Sequence, residues 1–119
     1  MKLQKLYPSL LVRDLAAAED WYTKLLGRRP DRRPMDTLVH WELFDGGGLM
    51  LSPSEEIAGP GVAFFYVEDL EAERRRLGDL GIVLGEDIPG DYSTLAEVHD
   101  PDGNRIMLAS PPSRPFPPA

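Results

Sequence analysis

Cysteine is missing from all 119 residues. That excludes disulfide scaffolds, thiolate zinc sites and cysteine nucleophiles together. Basic charge is in short supply: 13 Lys and Arg stand against 20 Asp and Glu, a net of -7. Phosphate contact needs a basic face, so nucleic acid and anionic membrane surfaces are poor partners. No apolar run approaches the roughly 18 residues that a membrane-spanning helix needs. Met1-Lys2-Leu3-Gln4-Lys5 lacks the apolar core of a signal peptide, which makes a cytoplasmic protein the expectation. Gly46-Gly47-Gly48 lacks a following Lys-Ser/Thr and joins two strands, so it is no phosphate loop. No Ser-His-Asp signature occurs; Ser9, Ser52 and Ser93 have no identifiable base.

What is present suits one ordinary domain. Apolar residues make up 42% of the chain, a globular proportion. A chain of this size buries roughly two-thirds of its unfolded surface and needs no covalent staple. Leu6–Val12 reads as a strand with Pro8 near its start. Asp14 offers a cap to a helix over Leu15–Leu26, where Leu15, Ala18, Tyr22 and Leu25 or Leu26 share one face and Gly27 ends it. Residues 28–34 cannot be helix and are too polar for a core strand. Thr37–Phe44 and Leu49–Leu51 are strand-like around a turn at Asp45–Gly48, and Ser54–Gly61 reads as a linker. The pattern then restarts. Gly61–Val67 is a strand, Asp69 caps a helix over Leu70–Leu80 that Gly81 ends, and Ser93–Val98 and Arg105–Ala109 flank the turn Asp100-Pro101-Asp102-Gly103. From Ser110 on, five of ten residues are Pro, so an extended or frayed tail is expected over 111–119.

An internal repeat follows by subtraction. Val12-Arg13-Asp14-Leu15 matches Val67-Glu68-Asp69-Leu70 at an offset of 55. Thr37-Leu38, Asp45-Gly46 and Leu49-Met50-Leu51 match Thr94-Leu95, Asp102-Gly103 and Ile106-Met107-Leu108 at an offset of 57. Two units of strand-helix-strand-strand-strand therefore cover nearly the whole chain. Half a chain of this length cannot cover its own sheet, so the halves must pair, within one chain or between two.

This layout resembles the vicinal oxygen chelate superfamily, which includes the glyoxalase I, bleomycin-resistance and extradiol dioxygenase families. The residues that carry the resemblance are Leu10-Leu11-Val12-Arg13-Asp14-Leu15, Trp21-Tyr22-Thr23-Lys24-Leu25-Leu26-Gly27, Phe65-Tyr66-Val67-Glu68-Asp69-Leu70 and the turn Asp100-Pro101-Asp102-Gly103-Asn104. It implies an α+β fold in which two paired βαβββ modules form one curled mixed sheet around a cup. The single domain would span residues 1–110, with module 1 at 5–53, a linker at 54–61 and module 2 at 62–110. A homodimer is also implied. In the metal enzymes of the superfamily each module supplies two ligands to the cup. The matching positions here are Tyr7 and Val62 on the first strands and Met50 and Met107 on the last. Val and Met cannot hold a hard divalent cation, so neither a metal nor another cofactor is expected.

What remains is a cup with an apolar floor. Strand alternation, with the ligand-equivalent positions turned inward, sends Tyr7, Ser9, Met50, Ser52, Val62, Phe64, Tyr66, Arg105 and Met107 to it. Trp41 joins this set as a possible stacking platform, although a structural role in the core is as reasonable. Two methionines among aromatics make an adaptable, polarizable surface for a flat organic ligand. The resemblance is to the metal-free, drug-binding branch, whose members sequester antibiotics unaltered. The expectation is thus a binding protein for a small hydrophobic or aromatic ligand, with no catalytic residue assigned. The acidic balance would suit a cationic ligand. The alternative is an enzyme, a lyase, isomerase or dioxygenase. It would use a non-standard metal site at His40 and Glu97, equivalent under the 57 offset, or Tyr7 or His40 as acid or base. Strand parity counts against His40, since it faces away from the cup if Trp41 faces in. An interaction module without a small ligand is the third possibility. His99, the Arg28-Arg29 and Arg32-Arg33 cluster, and Arg74-Arg75-Arg76 read as solvated surface.

Overall fold

Both helices start on an aspartate at the same place in the repeat. Asp14 accepts from the Ala17 amide at 3.1 Å and Asp69 from the Ala72 amide at 3.0 Å, which satisfies one orphan donor at each N-terminus. In the computed structural model, which describes residues 1–119, the chain divides into two compact units. One comprises Met1–Gly61 with Asp100–Asn104, and the other Val62–His99 with Arg105–Ala119. No helix is long and apolar enough to cross a membrane.

The first unit carries β1 (Ser9–Val12), α1 (Leu15–Leu26), β2 (Arg32–Met35), β3 (Leu38–Phe44) and β4 (Gly47–Pro53). Its sheet runs β1-β4-β3-β2, with β1 parallel to β4 and the other pairs antiparallel. Alternation along β3 and β4 buries Val39, Trp41, Leu49 and Leu51. Helix α1 buries Ala18, Tyr22 and Leu25, a spacing that puts them on one face. The Tyr22 and Trp41 rings lie 6.4 Å apart within this core. Gly48 lets two backbones meet beside Trp41: a Cβ there would fall 1.7 Å from the Trp41 carbonyl oxygen. That contact, not phosphate binding, explains a glycine at the start of β4.

The second unit carries β5 (Val62–Tyr66), α2 (Leu70–Asp79), β6 (Ile88–Pro89), β7 (Thr94–His99) and β8 (Arg105–Ala109). Its sheet runs β5-β8-β7-β6, the same order as in the first unit, with β5 parallel to β8. Leu70 and Leu77 of α2 are buried, as are Ala96, Ile106 and Leu108 on the sheet. The repeat is therefore structural as well as sequential. Ser9 pairs with Met50, and Phe64 with Met107; His40 pairs with Met50, and Glu97 with Met107.

The expected α+β fold of two βαβββ modules is present, as two four-stranded mixed sheets, neither closed into a barrel. Each half pairs its first strand with its own last strand, so each ladder is completed within its half. The polar stretch at 28–34 is not all loop, because Arg32–Met35 forms β2 at a sheet edge. All four of its residues are exposed, and an edge tolerates both their polarity and Pro34. The tail, expected to be extended or frayed, has no helix or strand and is tied to its own unit by backbone bonds. After Ala109 the Ser110 amide donates to the Thr94 carbonyl, and the Ser113 amide to the Tyr92 carbonyl at 2.8 Å.

The turn Asp100–Asn104 belongs to the first unit and supplies its buried polar groups. One Asp100 oxygen accepts from the Asp102 and Asn104 amides, both at 2.8 Å. The other accepts from the Tyr22 hydroxyl at 2.7 Å and from the Asn104 side-chain amide at 2.8 Å. Asn104 then reaches the β1 region, donating to the Leu11 carbonyl at 3.0 Å and accepting from the Gly61 amide at 2.6 Å. Burial pushes the Tyr22 hydroxyl far above its ordinary pKa, and the bond to Asp100 adds to the shift, so it remains a donor at any ordinary pH.

Removing one partner of such a network leaves buried groups unsatisfied. Tyr22→Phe should cost about 1–3 kcal/mol, and Asn104→Ala should cost more, because three bonds are lost instead of one. Urea unfolding of both variants checks the ranking. Two midpoints indistinguishable from the parent would mean that the turn does not hold this unit.

Candidate functional site

The open face of the first sheet is polar. Tyr7 precedes β1 but is held beside the sheet by its neighbours: the Leu6 amide donates to Gly46, and the Met50 amide donates to Pro8. Its ring stacks on His40 with centroids 5.0 Å apart and planes 27° from parallel. Its hydroxyl donates to Glu42, which also accepts from Arg32 at 3.3 Å. Both His40 ring nitrogens are buried without a hydrogen-bond partner, and Nδ1 lies 3.9 Å from the Glu42 carboxylate. Across the sheet the register aligns Ser9, Met50, His40 and Arg32 in one row. Beside that row the Ser9 and Ser52 hydroxyls approach to 3.4 Å.

Charge is arranged tightly here. The bond from Tyr7, helped by Lys5 and Arg32, holds the Glu42 carboxyl below the usual carboxylate range. The same bond, with burial and the carboxylate charge, pushes the Tyr7 hydroxyl above its ordinary value. Asp31 is lowered chiefly by the Glu42 amide, which donates to it at 2.7 Å, and further by Arg28.

The open face of the second sheet is aromatic. Val62, Phe64 and Tyr66 alternate along β5 and are 61%, 47% and 53% exposed. The Phe64 and Tyr66 rings lie 5.1 Å apart. Met107, the register partner of Phe64, is only 5% exposed and forms a floor between β5 and β7. Glu97 stands opposite Met107 and pairs with Arg105 at 3.1 Å and with His99 at 3.3 Å.

The candidate residues thus fall in two groups. Tyr7, Ser9 and Met50 share the first face, and Val62, Phe64, Tyr66, Arg105 and Met107 the second. Trp41 belongs to neither. It is fully buried beside Tyr22 of α1, and its indole N–H donates to the Arg28 carbonyl at 2.9 Å. The largest apolar side chain of β3 takes the helix-covered face, and alternation then turns His40 and Glu42 to the open one. Strand parity holds along β3, with Trp41 on the covered side. His40 and Glu42 were legible from the strand's alternation once Trp41 was placed in the core. Phe116, the one aromatic residue of the tail, carried no such signal.

The donors present at the ligand-equivalent positions are poor ones for a divalent ion. Tyr7 offers one oxygen, already committed to Glu42. Met50 and Met107 offer thioethers and Val62 offers nothing. A hard cation needs several oxygen or imidazole donors, and no group of three or more His, Asp or Glu side chains is arranged to hold one. The residues do not fit the ion.

A family model described as the Glyoxalase/Bleomycin resistance protein/Dioxygenase superfamily matches residues 6–108. No curated protein matches the chain. Among solved structures, a glyoxalase / bleomycin resistance protein from Catenulispora acidiphila superposes with a TM-score of 0.82 at 29% identity, covering 93% of this chain and 100% of its own. A lactoylglutathione lyase from Agrobacterium tumefaciens gives 0.74 at 21%, over 88% and 91%. TnmS3, an antibiotic binding protein from Streptomyces sp. CB03234, gives 0.74 at 23%, over 93% and 96%. The repeated βαβββ order, the shared register of the two sheets and the family match over residues 6–108 agree, and the chain belongs to the glyoxalase/bleomycin resistance protein/dioxygenase superfamily.

Proposed function

We propose that the chain is a small-molecule-binding protein that holds a flat aromatic ligand and returns it unaltered. The carrying observation is the solvent-facing pair of rings on β5, Phe64 and Tyr66, above the Met107 floor. Aromatic faces and a thioether bind π-systems without demanding fixed hydrogen bonds. Val62 and Arg105 flank the rings on the same sheet, and Tyr7, Ser9 and Met50 are a separate set of candidate contacts on the first sheet. Trp41 is left out, since no ligand can reach it. The misfit of the donor set to a divalent ion supports binding over metal-assisted catalysis. A fold relative described as an antibiotic binding protein makes antibiotics with flat aromatic rings the first compounds to screen. The proposal includes a cytoplasmic homodimer.

The specific observation favouring a second reading is His40, unpartnered beside Tyr7 and Glu42. An imidazole so placed can move a proton in metal-independent acid–base catalysis.

Calorimetric titration with a panel of anthracycline, tetracycline and anthraquinone compounds tests the first reading, with mass spectrometry of the recovered ligand. Phe64→Ala should weaken binding by about three- to tenfold, the worth of one aromatic pair, while Arg75→Ala on α2 should leave it unchanged. A panel without one saturable ligand rejects the binding reading. Recovery of a converted compound favours the enzyme, and His40→Gln should then abolish turnover and spare affinity.

A spectroscopic prediction belongs to the same cluster. In an ultraviolet titration Tyr7 should ionise above the usual tyrosine range, and Glu42→Gln should bring it back toward that range. The sign for stability is the opposite of a raised group. The Glu42 pKa is depressed on folding, so its contribution is present above the unfolded carboxylate pKa and is lost as pH falls through the lower folded value. Acid unfolding of Glu42→Gln should therefore lose that component; a parent-like acid profile would mean the cluster is not formed in solution.

A further inference from the structure

The C-terminal tail is docked on aromatic side chains of its own unit. The Phe116 ring lies 4.8 Å from Tyr92 and 6.4 Å from Tyr66. The Arg114 guanidinium sits over the Tyr92 ring, 4.6 Å from its centroid, and the Ser113 amide donates to the Tyr92 carbonyl. With the 5.1 Å Phe64–Tyr66 pair, four rings form a continuous run: Phe64, Tyr66, Phe116, Tyr92. Phe116 remains 53% exposed, so the run is not a closed core.

The joints in this run differ. A ring inserted face to face between two others needs about 7 Å between their centroids. Tyr66 and Phe116 are 6.4 Å apart and 55° from parallel, so admitting a ring means turning the Phe116 ring as well as widening the gap by a few tenths of an ångström. The other two joints are more than an ångström tighter. Opening the Tyr66–Phe116 joint costs little backbone bonding, because Pro111, Pro112, Pro115, Pro117 and Pro118 have no amide hydrogen to lose. The prolines also keep the segment extended, which limits the entropy recovered by releasing it.

We propose that residues 113–118 are a strap and that Phe116 is a specificity-determining contact: a flat aromatic ligand enters between Tyr66 and Phe116 and is stacked on both sides. This rests on the reading of the chain as a small-molecule binder and names where on the second sheet the aromatic part goes. The size of the patch favours such an occupant over a second copy of the chain. Val62, Phe64, Tyr66 and Phe116, each roughly half exposed, present on the order of 400 Å². A stable pairing of copies buries about 800 Å² on each partner. That the chain seats its own phenyl ring there shows that the surface accepts aromatic groups.

The probe is 1-anilinonaphthalene-8-sulfonate, titrated by fluorescence into the full chain, Phe116→Ala and Phe116→Trp, with ring proton shifts of the parent followed by NMR. Phe116→Ala should raise the dissociation constant by about three- to tenfold. Phe116→Trp should keep or tighten binding, and Phe116 and Tyr66 ring signals should shift together in the parent. Unchanged or tighter binding by Phe116→Ala, with the full chain still binding, overturns the strap and leaves the binding reading intact. Absence of saturable binding to the full chain overturns both.

Discussion

The fully buried polar groups of the first unit are arranged around a carboxylate that is taken out of water. Asp100 accepts from two backbone amides, one phenol and one side-chain amide. A buried charge is tolerable only when its lone pairs are this well occupied. The donors come from its own turn and from α1, so satisfying Asp100 also fixes where α1 and Asn104 lie. Asn104 carries the constraint on to Leu11 and Gly61. A five-residue turn thereby positions the strand on which Ser9 sits and the start of the segment leading into β5.

The two open faces show how one repeated backbone supports different chemistry. Equivalent positions carry His40 and Glu97, Ser9 and Phe64. In the first unit they sit beside a hydrogen-bonded cluster of a tyrosine, a glutamate and an arginine. In the second they are aromatic rings and a methionine, with the remaining charge drawn into the Glu97, His99 and Arg105 group. The backbone registers agree at these positions and the side chains differ, which is how a scaffold comes to host unlike functions.

Much of this was legible in the sequence. Asp14 and Asp69 announced both helices, since a short carboxylate before an apolar-periodic run has one good use. The offsets of 55 and 57 announced the matching sheet orders. The strand Arg105–Ala109 agrees at both ends. Sheet membership was harder, because pairing is a long-range property that a strand's own residues do not encode. The edge strand at Arg32–Met35 was hidden by polarity that a solvated edge permits. At the site, Tyr7, Ser9 and Met50 were placed on one face by alternation, whereas Trp41 was not. A tryptophan suits a ligand platform and a core equally well on composition, and only the carbonyl of Arg28, 13 residues away, decides for the core. Phe116 lay in a segment whose prolines argue against any regular element, and its docking depends on Tyr66 and Tyr92, distant in sequence.

The parallel pairing of first and last strands also governs how the chain reaches this state. Ser9 meets Met50 after 41 residues, and Phe64 meets Met107 after 43. In each half the helix and the antiparallel hairpin can form from local contacts, but the parallel ladder cannot begin until its loop has closed. Closing loops of that length costs roughly 3 kcal/mol each before any ladder bond is gained. The contact from Asn104 to Leu11 spans 93 residues, so the group that organises the first unit is among the last to be assembled. A ribosome must release the chain through Asn104 before that contact is available. The first unit therefore emerges with its α1 tyrosine and β1 carbonyl unpaired, and it is completed only when the turn between β7 and β8 arrives.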